Sequence, residues 1–256
     1  MLVIRREQFK IFESGALRSF EDEMVAHSQQ FSPVLSRVLG DTQLRVAVHS
    51  ALSRAMNYGF TLRGPLQLFV EITFLCGSAF DTDPQYPGWG DALRSAEHEM
   101  DRAMAIHERH NNYLARVSGP DAINVRTALK ALAAFARAPL SISESHYIAD
   151  LLSVMQQAFP QKVAYVGEEG LRAVISEASA EAARHRFSTV REQGLIAVLM
   201  FAFGHGCTDD PLYPWISSTL EDPRITNPEG RAKRLESKAL TWLDHVLAEP
   251  EQTQVS

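Results

Sequence analysis

Hydrophobic residues recur every three or four positions along most of this chain, which is the spacing of α-helices that bury one face. One such stripe runs from residue 8 to residue 30, and a second follows Asp41 through Leu44, Val48 and Leu52. No stretch alternates between apolar and polar residues as a half-exposed strand would. The pattern therefore predicts an all-α protein of about ten helices.

Two stretches, residues 66–80 and 195–203, are apolar on nearly every side and predict central, buried helices. A nine-residue apolar run could also be a buried strand. Gln67 and Glu71 interrupt the first stretch, and Thr189 and Glu192 form a capping-box pattern before the second, so we favour a helix in both. A charged helix is predicted over residues 89–116, with an apolar seam at Leu93, Ala96, Met100, Met104 and Leu114.

Both central stretches end in one motif: a glycine, an acidic turn, a Pro-x-Tyr-Pro frame and a tryptophan. Phe74, Gly77, Asp83, Pro84, Tyr86 and Pro87 recur 127 residues later as Phe201, Gly204, Asp210, Pro211, Tyr213 and Pro214. Upstream, Leu44, Ala51 and Phe60 recur at the same offset as Leu171, Ala178 and Phe187. A fixed offset over most of two halves indicates an internal duplication.

The period is far longer than that of a solenoid repeat, so we predict two domain-sized halves. The first helical repeat spans residues 1–117 and the second spans residues 141–249. Residues 118–140 supply a connector helix, and residues 250–256 form a polar tail. Because both tryptophans follow a buried turn, Trp89 and Trp215 are expected to be largely buried.

Composition narrows the functional classes. The net charge is −6 and neither half is basic, so the electrostatic pattern of a nucleic-acid-binding protein is absent. The start of the chain lacks the apolar run of a signal peptide, and the longest apolar run is too short to span a membrane. The two cysteines have no metal-ligand spacing. These features predict a cytoplasmic protein that binds neither nucleic acid nor membrane.

The acidic turns are the strongest candidate for a functional site. Their residues are Asp81, Asp83 and Tyr86 in the first half and Asp209, Asp210 and Tyr213 in the second. The aspartates could bind a cation or act as acid and base, but calcium requires about six or more oxygen ligands. Aspartates also stabilise turns by accepting backbone hydrogen bonds. We expect these six residues to contribute to a partner-binding surface and to hold no metal or cofactor.

Two other patterns are weaker candidates. His107 and His110 could lie on one helix face as zinc ligands, but a zinc site needs three or four ligands. His205 and Cys207 could form a nucleophilic pair, but residues two apart on a helix do not face each other. Neither pattern indicates catalysis.

One further pattern is shared with a known group. Ile4 to Gln8 with Phe12, followed by Tyr58-Gly59-Phe60, Phe74, Gly77 to Asp81, Asp83-Pro84 and Pro87-x-Trp89, resembles an uncharacterised group of bacterial proteins. These are encoded near the spike and effector genes of type VI secretion. The second half matches less well, since Cys207-Thr208 stands where the first has Phe80-Asp81. The resemblance implies a helper of a secreted toxin, as immunity protein, adaptor or chaperone.

We therefore expect a non-enzymatic, protein-binding helper whose partner is a toxin or spike-linked effector with a basic patch. The acidic turns and the carboxylates of residues 21–23 suggest that partner charge. The alternative is a cation-binding or hydrolytic enzyme that uses the aspartate turns.

Overall fold

All the regular secondary structure in the described part of this chain is helical. A computed structural model describes residues 6–138 and 142–248, together with their side chains except those of residues 6–14 and 16. These residues form eleven α-helices and no strand, which confirms the predicted all-α class. The α-helices are α1 (Arg6–Phe31), α2 (Pro33–Asn57), α3 (Arg63–Cys76), α4 (Trp89–Arg94), α5 (Glu99–Tyr113), α6 (Ile123–Arg137), α7 (Tyr147–Ala158), α8 (Pro160–Arg184), α9 (Val190–Phe203), α10 (Pro214–Leu220) and α11 (Pro228–Ala248). A π-helix (Leu114–Ser118) and a 3-10 turn (Pro120–Ala122) join α5 to α6.

The packing of the helices repeats. Helix α2 contacts α1 and α3, and helix α8 contacts α7 and α9 in the same way. Helix α5 lies on α3 as α11 lies on α9, while the connector α6 lies mainly on α11. One buried apolar cluster includes Phe69 and Phe80 from the first half and Ile196 and Phe201 from the second. The two halves therefore share a core, and their division at residues 117 and 141 stays a prediction.

The predicted offset reappears in the helix bounds. Helices α2 and α8 are both 25 residues long, and α3 and α9 are both 14 residues long. Helix α8 begins 127 residues after α2, and α9 begins 127 residues after α3. Both long helices are interrupted at the same place, since Gly40 has φ 71° and ψ 161° and Gly167 has φ 75° and ψ 167°. These matches support the predicted duplication, which stays an inference about origin.

Several helix bounds differ from those predicted in the first half. Helix α2 begins at Pro33, and the predicted start at Asp41 follows the interruption at Gly40. Helix α3 ends at Cys76 rather than Phe80, because Gly77 leaves the helix at φ 94°. The predicted helix over residues 89–116 is divided into α4 and α5.

The start of the second half also differs from the prediction. Residue 141, where the second repeat was predicted to begin, lies outside the described residues, and α7 begins at Tyr147. The backbone N–H and the hydroxyl of Ser143 both donate to the Asp150 carboxylate, at 2.8 and 2.9 Å. The capping box of Thr189 and Glu192 is confirmed at the start of α9.

Candidate functional site

The two acidic turns meet at the centre of the molecule, where α3 and α9 end. A Cβ built on Gly77 would lie 2.8 Å from the carbonyl oxygen of Phe203, and one built on Gly204 would lie 3.0 Å from that of Cys76. A side chain would not fit at either position, so the backbones approach as closely as glycine allows. The turns form a structural junction between the halves.

Asp83 and Asp210 fasten this junction reciprocally. The Oδ2 atom of Asp83 accepts from the backbone N–H of His205 at 2.8 Å, and Oδ2 of Asp210 accepts from that of Ser78 at 2.7 Å. Each Oδ1 atom accepts from the backbone two residues further along its own turn, at 2.8 Å in both cases. Burial raises the pKa of Asp210, although these backbone donors oppose the shift. Both carboxylates are therefore engaged within the chain.

Asp81 is held by a different set of contacts. The guanidinium of Arg54 binds it at 2.7 to 3.0 Å, and the hydroxyl of Tyr58 donates to its Oδ2 at 2.6 Å. The side chain of Asp81 is only 2% exposed. The carboxylate thus links α2 to the turn that follows α3.

The second half has a different charge arrangement at the same positions. Glu181 lies 127 residues after Arg54, and His185 and Thr208 lie at that offset from Tyr58 and Asp81. The hydrogen bond from His185 is the largest influence lowering the pKa of Glu181, and Thr208 donates a further bond. Each half therefore has a carboxylate here, placed on the turn in the first half and on the helix in the second.

The structure buries five of the six residues predicted to contact a partner. Asp81, Asp83, Tyr86, Asp210 and Tyr213 are buried, and Asp209 is exposed. Desolvation raises the pKa of Tyr86 and Tyr213, whose rings pack in the core. The five buried side chains stabilise the junction and offer no surface for another protein.

Of the residues in the two other candidate pairs, His107 and His205 have local hydrogen-bond partners. His107 contacts Asn111 at 2.9 Å on an exposed face, whereas His110 is buried and desolvation lowers its pKa. His205 contacts Glu177 at 2.7 Å, and desolvation raises the pKa of the buried Cys207 thiol well above its ordinary value. Within residues 6–138 and 142–248, no three His, Cys, Asp or Glu side chains are grouped to hold a metal ion.

The acidic run at residues 21–23 is neutralised by neighbouring helices. Arg45 contacts Asp22 at 2.6 Å and Glu21 at 3.5 Å, and His49 contacts Glu21 at 3.1 Å. Glu23 pairs with Arg63. This run therefore does not form the acidic patch that the sequence suggested.

An apolar surface lies instead between α3 and α5, around a groove of about 350 Å³. Met104, Met100 and Leu62 are 59%, 43% and 45% exposed. The sequence placed both methionines in an apolar seam, but the buried face of α5 is formed by Ala103, Ile106, His110 and Tyr113. We call Leu62, Met100 and Met104 the α5 face.

The second half has an ion pair at the corresponding place. Arg102 donates to the carbonyl of Tyr58, and Arg231 donates to that of His185, which identifies Arg231 as the counterpart of Arg102, 129 residues later. The same offset relates Tyr113, packed on Tyr86, to Trp242, packed on Tyr213. At this offset Met100 and Met104 correspond to Glu229 and Lys233, which form a 2.7 Å ion pair. The α5 face is therefore apolar in one half only.

Among the described residues, no helix combines the length and apolar character needed to cross a bilayer.

Comparison of the chain with protein-family models, with curated proteins and with solved structures finds no match in any of the three.

Proposed function

We propose that this chain is a non-enzymatic, cytoplasmic helper that binds another protein through the α5 face. The exposure of Met100, Met104 and Leu62, at a place where the other half has an ion pair, is the observation that supports this function. Exposed apolar groups around a groove are typical of protein interaction sites, and methionine adapts to irregular partner surfaces.

The charges near this face indicate the chemistry of the partner. Asp101 and Glu108 lie three residues before and four residues after Met104, so both share its side of α5. Both are exposed, and Glu71 lines the groove from α3. The partner segment would place an apolar side chain in the groove, with basic residues beside it. We therefore propose that these carboxylates, rather than those of the acidic turns, favour a basic partner.

The identity of the partner follows from the resemblance alone. The pattern from Tyr58 to Trp89 favours a toxin or a spike-linked effector of a type VI secretion system. The chain would act as its immunity protein, adaptor or chaperone.

The test is co-purification of the chain with the products of neighbouring genes at low and moderate salt. A partner should co-elute, and its association should weaken with salt because steering by charge is screened. Met104→Lys should reduce the affinity at least tenfold, by adding a cation to the apolar contact. The matched control is Lys233→Met, the reverse exchange in the other half, which should leave the affinity unchanged. Equal binding by Met104→Lys and the native chain would refute the α5 face, and the absence of any partner would refute the helper function.

A further inference from the structure

A second cavity lies between the two halves, apart from the α5 face. It has a volume of about 540 Å³ and is bordered by the starts of α2 and α8, the ends of α3 and α9, and side chains of α6 and α11. Most of its lining is apolar, including Leu35, Phe74, Leu129, Phe159 and Phe203. Cavities of this size and character are typical of small-molecule sites.

Lys162 introduces a charged group into this apolar lining. The residue is only 3% exposed, and its Nζ donates to the carbonyl of Phe201 at 2.6 Å. Its Nζ also lies 5.1 Å from the centre of the Phe201 ring and 5.9 Å from that of Tyr86. An ammonium group has three N–H donors, so one backbone carbonyl leaves two of them for other acceptors.

No carboxylate of the described residues lies within ion-pair distance of Lys162. Burying a cation without such a partner is costly, and desolvation accordingly lowers the pKa of this amine. Asp83 exerts a smaller, opposing influence, but its oxygens already accept from Gln85 and His205. At the corresponding position 127 residues earlier the first half has Leu35, so the charge is particular to this side of the cavity.

A second side chain with an unused donor lines the same cavity. Trp242 lines the cavity, and its indole N–H is buried without an acceptor among the described residues. An indole N–H can only donate a hydrogen bond. The polar groups of the cavity therefore complement a ligand that supplies acceptors.

We propose that this cavity binds an amphipathic carboxylic acid. The carboxylate pairs with the Lys162 ammonium, and the hydrocarbon body lies against Leu35, Leu129 and Phe159. A charge-assisted hydrogen bond supplies the selectivity for an acid, and the apolar lining supplies most of the contact area. The site does not depend on the function proposed for the α5 face.

Calorimetric titration with dodecanoate and with dodecan-1-ol, both below the concentration at which they aggregate, tests this site. The native chain should bind one dodecanoate and should prefer it to the alcohol at least tenfold. Lys162→Met, which keeps the length and apolar volume of the side chain, should lose this preference and bind both compounds as weakly as the native chain binds the alcohol.

Two further variants test whether the acid lies in this cavity rather than elsewhere on the protein. Val125→Trp would fill the space from the half-buried side of α6 and should abolish binding of both compounds. Met104→Lys should bind dodecanoate as the native chain does, because it changes only the α5 face. The proposal is refuted if the native chain binds no dodecanoate saturably or does not distinguish acid from alcohol. It is equally refuted if Lys162→Met folds and retains the preference, since Lys162 would then serve only to cap α9.

Discussion

Gly77 and Gly204 pack against each other where the two halves meet, so that a Cβ on Gly77 would lie 3.7 Å from the Cα of Gly204. Both have φ near 95°, a backbone conformation that side chains rarely adopt. The closeness of the backbones allows Asp83 and Asp210 to reach across the junction. We therefore expect these glycines to tolerate substitution less well than glycines that have positive φ but no close neighbour.

Gly77→Ala should destabilise the fold more than Gly167→Ala. Both positions have positive φ, which costs an L-residue about 1–3 kcal/mol. A Cβ at Gly167 would meet nothing within 4 Å, whereas at Gly77 it would overlap the carbonyl oxygen of Phe203. Overlap of this kind adds about 1–3 kcal/mol. Urea denaturation of both variants measures the difference. Equal losses of stability would mean that the backbone at the junction moves apart to accommodate the extra methyl group without destabilising the fold.

Asp83→Asn should lower stability by about 1–3 kcal/mol, because an amide nitrogen would face one of the N–H donors that the carboxylate now accepts. Asp209→Asn is the matched control from the other turn, where the side chain is exposed, and it should change stability by less than about 0.5 kcal/mol. Thermal unfolding of both variants tests this. If Asp83→Asn left the stability unchanged, the bond to His205 would not be needed to hold the turns together.

The sequence predicted the helical class and the repeated turn because both are local patterns. Helical spacing identified nearly every helix, and the 127-residue offset reappears in the bounds of α2, α3, α8 and α9. The ends were less predictable. The apolar run continues past Gly77 to Phe80, so hydrophobicity alone extended α3 beyond the glycine that ends it.

The role of the turns could not be predicted from the same information. Recurrence of Asp83 and Asp210 indicated importance, but their partners are 122 and 132 residues away and belong to the other half. The α5 face was missed for another reason. Apolar residues lie on two sides of α5, and only the packing of α3 determines that Ala103 and Ile106 are buried while Met100 and Met104 are exposed.

Arg54→Met should destabilise the protein by about 2 kcal/mol. It would leave the buried Asp81 carboxylate with Tyr58 as its remaining side-chain donor, and an unpaired buried charge is costly. This expected loss of stability is smaller than that for a fully buried ion pair, because the Arg54 side chain is 37% exposed to screening solvent. Arg172→Met, which removes the exposed pair with Glu168, should cost less than about 0.5 kcal/mol. Equal effects in urea denaturation would contradict a special role for Asp81.

Trp89→Ala should cost more stability than Trp215→Ala. Trp89 is fully buried, as predicted, and its Nε1 donates to the Tyr165 hydroxyl at 3.3 Å. Trp215 is only partly buried, so the sequence overestimated its burial. We expect a loss of about 3–5 kcal/mol for Trp89→Ala and about half as much for Trp215→Ala. Calorimetric melting of both variants provides the comparison, and a reversed order would be inconsistent with the packing around α4.

Lys162→Met should change how stability depends on pH. Desolvation lowers the pKa of this amine below its ordinary value of 10.5, against smaller opposing influences from Asp83 and Cys76. At pH values between the pKa of Lys162 in the folded chain and its higher pKa in the unfolded chain, the unfolded chain holds a proton on this amine that the folded chain does not. The contribution of Lys162 to stability therefore rises with pH through that window.

The native chain should accordingly gain stability relative to Lys162→Met as the pH rises toward 10.5. Urea denaturation of both proteins across the alkaline range measures this difference. Tyr86 and Tyr213, whose pKa values are raised by burial, occur in both proteins and so should largely cancel. Lys130→Met, which makes the same exchange on the exposed side of α6, is the matched control. A flat difference for Lys162→Met would mean that the amine stays hydrated, and the cavity would then lack the desolvated cation needed to select an acid.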